Sequence, residues 1–277
     1  MQLEITLKAT EARDYSARDL GYLLHKHPDH LHRRDTAQGT VSIFYPLVSE
    51  DETRAVLYLD VDPVALVRGK GPNVQGLLAQ YVNDRPYVAN SFLSVAMARA
   101  LGQTMSGKSK ERQALADRPL PFTVRVAPVA VSGGQEVIDA LFAPLGYRIE
   151  AQSLDESGQR AIFDLRVSGE ARLADLLTHL YVLVPVLDNA KHYFIDRGEI
   201  DKLLEKGGDW LAGHPAKDLI TKRALKYRRA LVAEALDRLA EECDAVTYEF
   251  ENVPVDAVRY LAGKVKIFPG PGALEVA

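Results

Sequence analysis

The sequence predicts an α+β protein: two mixed α/β lobes that share a core, followed by a long C-terminal amphipathic helix. Three observations lead to this. Strand-like alternation and helix-like spacing recur in the same order, strand, helix, strand, strand, helix, in two successive stretches. With 277 residues, 47% of them apolar and 26% charged, the chain has enough material for one large folded domain or two modest ones. Beyond Asp196 the strand signals stop and a helical pattern runs to about Glu242.

The first lobe, residues 1–117, opens with Leu3, Ile5 and Leu7 on one side of a strand. Asp19 is expected to cap a short helix through Leu20, Leu23 and Leu24 that Pro28 stops. Thr40 to Tyr45 and Ala55 to Val61 are rich in β-branched and aromatic residues and read as strands, the second closed by Pro63. The composition of Gly69 to Gly76, GKGPNVQG, forbids regular structure. Asn90 and Ser91 are good helix caps for a helix over Ser91 to Leu101, which Gly102 ends.

The second lobe, 118–242, repeats the pattern. Phe122 to Val131 reads as a strand, Gly134 to Phe142 as a helix closing at Pro144, Tyr147 to Leu154 with Ile162 to Val167 as a hairpin, and Ala171 to Val184 as a strong helix. The match between Leu20–Pro28 and Ile138–Pro144, apolar helices closed by proline, is too short to establish duplication. Glu199 to Lys206 and Asp218 to about Glu242 read as helices separated by Gly207 and Gly208. In the last one, Leu225, Leu231, Val232, Leu236 and Leu239 form an apolar stripe. Lys217, Lys222, Arg223, Lys226, Arg228 and Arg229 make its first half basic, either as a solvated face or as one that meets an anionic partner.

A net charge of -4 excludes a chain coated in nucleic acid and leaves only local basic patches for such contact. A single cysteine, Cys243, excludes intrachain disulfides and fits a reducing cytoplasm. The alternating amino terminus lacks a signal peptide's apolar core, and the longest apolar run, Leu180 to Leu187, is too short to span a bilayer. A cytoplasmic protein without membrane contact is expected.

Gly102 to Ser109 matches the phosphate-loop pattern G-x-x-x-x-G-K-[ST] letter for letter. That mechanism needs a buried strand entering the loop and a helix leaving it, so that backbone N–H groups converge on phosphate. Here the entering segment, SFLSVAMARAL, is helical by period, and a short charged stretch leaves towards Pro119. The loop is therefore expected to end a helix and to present Lys108, Lys110 and Arg112 to solvent or to an anionic partner. His25, His27, His30 and His32 form HKHPDHLH, which suits a metal by ligand type, but no carboxylate or thiol completes a tetrahedral set. His179 lies among apolar neighbours and reads as a hydrogen-bonded core histidine. His192 near Asp188 and Tyr193 is the one acid/base pairing, and Asp60 and Asp62 end a strand. No G-x-G-x-x-G fingerprint follows a strand, so no cofactor is expected.

Four segments, DLGYLLHKHP (Asp19–Pro28), LYLDVDPVALVRG (Leu57–Gly69), LAQYVNDRPYVANSFLSVAMARALGQTMSGKSKER and RLADLLTHLYVLVPVLDNAKHYF (Arg172–Phe194), resemble the amino-terminal, ligase-activating domain of the bacterial 3′-terminal RNA ribose 2′-O-methyltransferase of the HEN family. The resemblance runs over roughly residues 1–242. It implies a non-catalytic activator in a bacterial RNA repair complex, bound to the ligase module of polynucleotide kinase-phosphatase-ligase (Pnkp) and promoting its adenylylation by ATP. The alternative it leaves open is an RNA-binding module of the parent methyltransferase. It also implies that the loop's phosphate-binding letters are accidental.

After Glu242 the chain departs from that family. Residues 243–277 resemble an internal fragment of 5-(carboxyamino)imidazole ribonucleotide synthase, an ATP-grasp enzyme, around TYEFENVP. They read as strand (Ala245–Phe250), helix (Asp256–Ala262) and strand (Val265–Phe268), too few residues for a core of their own. The expectation is a chain truncated before its methyltransferase domain and joined to foreign sequence. On charge and expected exposure, Tyr81, Arg85, Tyr87, Lys108, Lys110 and Arg112 are the candidate partner-binding residues.

Overall fold

Alternating apolar residues set up one sheet that takes strands from both halves of the chain. The computed structural model describes residues 1–12, 14–36, 39–61, 89–155, 161–189, 208–224, 240–241, 243–247 and 255–268. In chain order these give β1 (Gln2–Lys8), α1 (Leu20–Leu24), β2 (His32–Thr36), β3 (Gly39–Val48), β4 (Glu52–Val61), α2 (Ala89–Met105) and α3 (Gln113–Ala116). They continue with β5 (Leu120–Val131), α4 (Gly134–Phe142), β6 (Arg148–Asp155), β7 (Ala161–Ala171), α5 (Leu173–Asp188) and α6 (Gly208–Ala212). The chain divides into two compact units, Met1–Ala190 with Ile195–Ile220, and Lys191–Phe194 with Thr221–Ala277.

In the first unit the sheet order is β2-β3-β4-β1-β5-β7-β6, with every neighbouring pair antiparallel. The strands expected in two lobes thus lie side by side, with β1 and β5 meeting at the centre. Their register makes the halves equivalent. Ile5 faces Val124, and the pairs Leu3↔Val126 and Leu7↔Phe122 flank it at equal distance, so a half-turn about the centre exchanges them. Outward from that axis, β4 then β3 on one side correspond to β7 then β6 on the other, and α2 to α5.

Side chains alternate across the pleat, so Leu3, Ile5, Leu7, Leu57, Leu59, Phe122, Val124, Val126, Leu165 and Val167 are all buried on one face. Against that face pack α2 and α5, which also touch each other. Phe92, Leu93, Ala96 and Met97 from α2, and Leu176, Leu177, Leu180, Leu183 and Leu187 from α5, complete the core. Asn90 fastens this layer. Its amide donates to the carbonyls of Ala130 (2.9 Å) and Val184 (3.0 Å) and accepts the Ala130 N–H (3.1 Å), all fully buried. On the opposite face the even-numbered positions carry ion pairs across strands: Lys8–Glu52 at 3.4 Å, Arg54–Glu4 at 3.6 Å and Arg166–Glu150 at 3.3 Å. Arg125 also binds Asp164, its Nε donating at 2.8 Å.

Several elements differ from the sequence expectation. β2, HRRDT, has no apolar alternation because it is a mostly exposed edge strand, held by its pairing with β3. The helix expected to stop at Gly102 loses helical geometry at Leu101 (φ -119°, ψ 17°) and resumes to Met105. α5 runs through Pro185 to Asp188, because the buried side chains around it favour continued helix over a break. The long helix expected from Asp218 is described at 217–224 and 240–241 only, and Gly69–Gly76 and Glu199–Lys206 lie outside the described residues.

In the second unit, β8 (Ala245–Thr247) pairs in parallel with β9 (Lys266–Phe268) through α7 (Val255–Ala262), whose Val258 and Leu261 are buried one turn apart.

Candidate functional site

The site begins with α1. Ahead of it, Ser16 Oγ accepts the Arg18 N–H at 3.1 Å and the Asp19 carboxylate accepts the Ser16 N–H at 3.3 Å, which closes a capping box over the 3₁₀ turn Ala17–Asp19. Asp19 was expected to cap α1 with its own side chain; it makes no such bond, because its carboxylate is turned back to Ser16 and out to Arg112. Leu20, Leu23 and Leu24 anchor the helix in the core. His25, in the left-handed region at φ 54°, ends it, and the Lys26 N–H returns to the Gly21 carbonyl at 3.0 Å. Pro28 then folds onto the helix so closely that a Cβ at Gly21 would meet its Cδ at 3.0 Å. Gly21 and Pro28, seven residues apart, thus form one packed corner.

Against this corner lies the loop after α2. The loop's polar groups are spent on the fold. The Ser109 N–H donates to Gln113 Oε1 at 2.8 Å, and Gln113 Nε2 donates to the Gly107 carbonyl at 2.9 Å. Ser109, buried, donates its hydroxyl to the Tyr22 carbonyl at 3.4 Å. His25 Nε2 lies 2.7 Å from the Lys108 carbonyl, a contact that requires the ring to donate there. Arg112 Nε donates to Asp19 Oδ1 at 2.8 Å, and its guanidinium sits 4.7 Å from the centre of the Tyr22 ring.

Between the corner and the loop opens a cleft of about 480 Å³. Arg18, Tyr22, His25, Lys26, His27 and Lys110 line it, together with Gly21, Pro28, Asp29 and Glu111. Burial lowers the Lys26 pKa, and the nearby charge of Arg34 lowers it further. Its ammonium reaches a backbone carbonyl, that of His25 at 3.4 Å, and no carboxylate among the described residues.

Of the candidate partner-binding residues, Lys108 and Lys110 are exposed, whereas Arg112 is occupied by Asp19 and Tyr22. Tyr81, Arg85 and Tyr87 lie outside the described residues. The phosphate-loop match enters from a helix, and the N–H groups of Ser106, Gly107 and Ser109 are engaged within the fold, so it lacks the strand-loop-helix cradle. The His30 ring meets that of His27 at a tilt of 46° and that of His32 edge-on at 87°, with centroids 5.1 and 6.5 Å apart. Among the described residues no group of three His, Cys, Asp or Glu is gathered as a metal would need. His179 Nδ1 shares a hydrogen bond of 2.8 Å with the Tyr147 hydroxyl and its ring meets Trp210 at 4.8 Å, while burial lowers its pKa to about 4. Asp188 is fully buried, and His192 and Tyr193 lie outside the described residues.

Sequence reasoning treated the histidine segment and the basic loop separately and missed Arg18, Tyr22 and Lys26 as their common lining. The signal available was DLGYLLHKHP itself, where a glycine, a helix end and a proline build a corner.

Fold and site define an antiparallel-sheet α+β domain that presents a side-chain-built basic cleft. No helix of the described residues is long and apolar enough to cross a membrane. The family model described as "RNA repair, ligase-Pnkp-associating, region of Hen1" matches residues 1–240, and the chain belongs to that family. A solved structure titled "Structure of the Pnkp1/Rnl/Hen1 RNA repair complex" has a similar fold, with TM-score 0.51 and 17% identity over 87% of this chain and 56% of that one. A second family model, "Ribonucleotide synthetase preATP-grasp domain", matches residues 215–277, so the two overlap at 215–240. Over 44 residues the chain is 50% identical to N5-carboxyaminoimidazole ribonucleotide synthase of Brucella melitensis, and over 41 residues 52% identical to the bifunctional purine synthesis protein purC/E of Dictyostelium discoideum. These cover 16% and 15% of this chain, and only 12% and 4% of the two relatives.

Proposed function

We propose that this chain is a non-catalytic activator that docks on the ligase module of Pnkp in an RNA repair complex and promotes that enzyme's adenylylation. The observation that carries the reading is a rigidly held basic loop on a member of the ligase-Pnkp-associating family. Lys108 and Lys110 stand exposed on a segment whose backbone is tied to α1 and α3. A preformed loop loses little conformational freedom on docking, and its charges favour an acidic partner surface. Arg112 supports the loop from within through Asp19, and Tyr81, Arg85 and Tyr87, shortly before α2 in the chain, are assigned to the same interface.

The test is label transfer from ATP to the ligase lysine of Pnkp, with and without this chain. Stimulation is expected, falling roughly tenfold when Lys108 and Lys110 are both replaced by Glu, as loss of about 1.4 kcal/mol of docking energy requires. No stimulation by the unaltered chain overturns the proposal.

A further inference from the structure

We propose that the cleft between α1 and the loop after α2 binds the phosphate of a nucleotide or RNA end, with Arg18, Lys26 and Lys110 meeting the phosphate and Tyr22 the base. This role shares Lys110 with ligase docking, whereas Arg18, Tyr22 and Lys26 have no part in that docking and therefore carry its test.

Four observations converge on it. The volume, about 480 Å³, is that of a small-ligand site and suits one nucleotide. Its lining sets Arg18, Lys26 and Lys110 against two carboxylates, Glu111 and Asp29, the latter 3.9 Å from His27; Arg18 also makes an exposed pair at 3.8 Å with Glu50, outside the lining, of the weak kind that a phosphate can displace. Lys26 is a partly buried ammonium that feels the charge of Arg34, hydrogen-bonds to the His25 carbonyl and makes no ion pair among the described residues. A multiply charged phosphate supplies such a partner better than a single carboxylate, and it accepts from several donors at once. Tyr22 is 43% exposed and already carries Arg112 over its ring, an arrangement on which a base can add a stack. The loop's backbone N–H groups take no part. Recognition here rests on side chains, and the G-x-x-x-x-G-K-[ST] letters contribute only the fold of the turn, Lys110 lying just beyond them.

Phosphate of this kind comes from two sources, an RNA terminus and a free nucleotide, and the assay separates them. The full chain is titrated against a 3′-fluorescein single-stranded RNA of ten nucleotides, with either a 5′-phosphate or a 5′-hydroxyl, and anisotropy is read at several salt concentrations. ATP is then added as competitor. Tighter binding of the phosphorylated strand, displaced poorly by ATP, assigns the cleft to an RNA end; equal binding of the two strands with displacement by micromolar ATP assigns it to a free nucleotide. In either case Lys26→Gln is expected to weaken the bound probe about tenfold and Arg18→Ala about threefold, as loss of charge-assisted contacts implies. Lys26→Arg should restore most of the affinity, and the melting temperature identifies any variant that fails to fold. With one phosphate neutralised on a single strand, log K should fall against log salt with a slope of about -0.7. The proposal is overturned if no probe binds, or if RNA binds but folded Lys26→Gln and Arg18→Ala bind it as well as the unaltered chain.

Discussion

Asp19 Oδ1 accepts a hydrogen bond from Arg112 Nε at 2.8 Å, joining the start of α1 to the basic loop across 93 positions of sequence. The same carboxylate holds the Ser16 N–H, so one side chain fixes both a helix entry and a loop. Asp19→Ala should lower stability by about 1–2 kcal/mol, the scale of a lost capping box plus a lost charge-assisted bond. Arg112→Ala should lower the melting temperature by less, since the arginine is largely solvated. If the two residues act as one tie, the double variant melts no lower than Asp19→Ala alone. Full additivity in the thermal midpoints would show that they act independently.

Asn90 is the second such tie, and a more expensive one to cut. Asn90→Ala leaves the buried N–H of Ala130 and two buried carbonyls short of partners, at about 1–3 kcal/mol for the first unsatisfied group and somewhat more in sum. Urea unfolding should show a midpoint loss corresponding to about 3 kcal/mol with an unchanged slope. Asn90→Asp should do no better, because its carboxylate cannot donate to Ala130 and Val184. A variant within 0.5 kcal/mol of the parent, roughly the limit for inconsequential surface changes, would contradict the clamp.

His179 supplies a pH dependence whose sign is fixed. Burial holds its pKa near 4, against 6.5 when exposed, with Asp175 opposing and His214 adding to the shift. Above pH 6.5 the ring is neutral in both folded and unfolded chains, and its packing against Tyr147 and Trp210 is undisturbed. As pH falls from 6.5 towards 4 the unfolded chain takes up a proton that the folded chain refuses. Stability therefore drops over that window, by at most about 3 kcal/mol from this group. His179→Gln should flatten the curve of unfolding free energy between pH 4 and 6.5 by up to one proton's worth of slope. An unchanged slope would mean that the ring titrates normally in the fold.

These ties explain what was and was not legible in the sequence. Strands with one buried face, such as Leu3-Ile5-Leu7 and Phe122-Val124-Val126, announce themselves because burial alternates as residue type does. The recurring order of elements was also readable, but not the pairing of β1 with β5, which depends on register between segments about 120 residues apart. β2 was invisible because edge strands are held by backbone pairing rather than by apolar pattern. At the site, charge alone selected Lys108, Lys110 and Arg112 equally. Only the geometry separates Arg112, consumed by Asp19, from the two lysines that remain open. Lys26 carried no sequence signal because its lack of an ion-pair partner among the described residues is a property of its neighbours.

The tail offers a test of how the chain is put together. Between them β8 and β9 contribute three paired positions, and α7 buries Val258 and Leu261. Two three-residue strands and one helix fall well below the roughly 40 residues at which a chain usually folds unaided, and a two-stranded ladder is marginal by itself. The peptide 243–277 should therefore give a coil-like circular dichroism spectrum with no cooperative melt. A chain ending at Glu242, which keeps all of the 1–240 family match, should retain a cooperative transition close to that of the parent. Because the preATP-grasp match begins at residue 215, a third fragment, 215–277, separates two origins of any order in the tail. If 215–277 folds where 243–277 does not, the helical region 217–224, which the division after Ile220 cuts in two, belongs with the tail. If neither folds and the chain ending at Glu242 melts as the parent does, the tail draws its order from the rest of the protein and adds little in return.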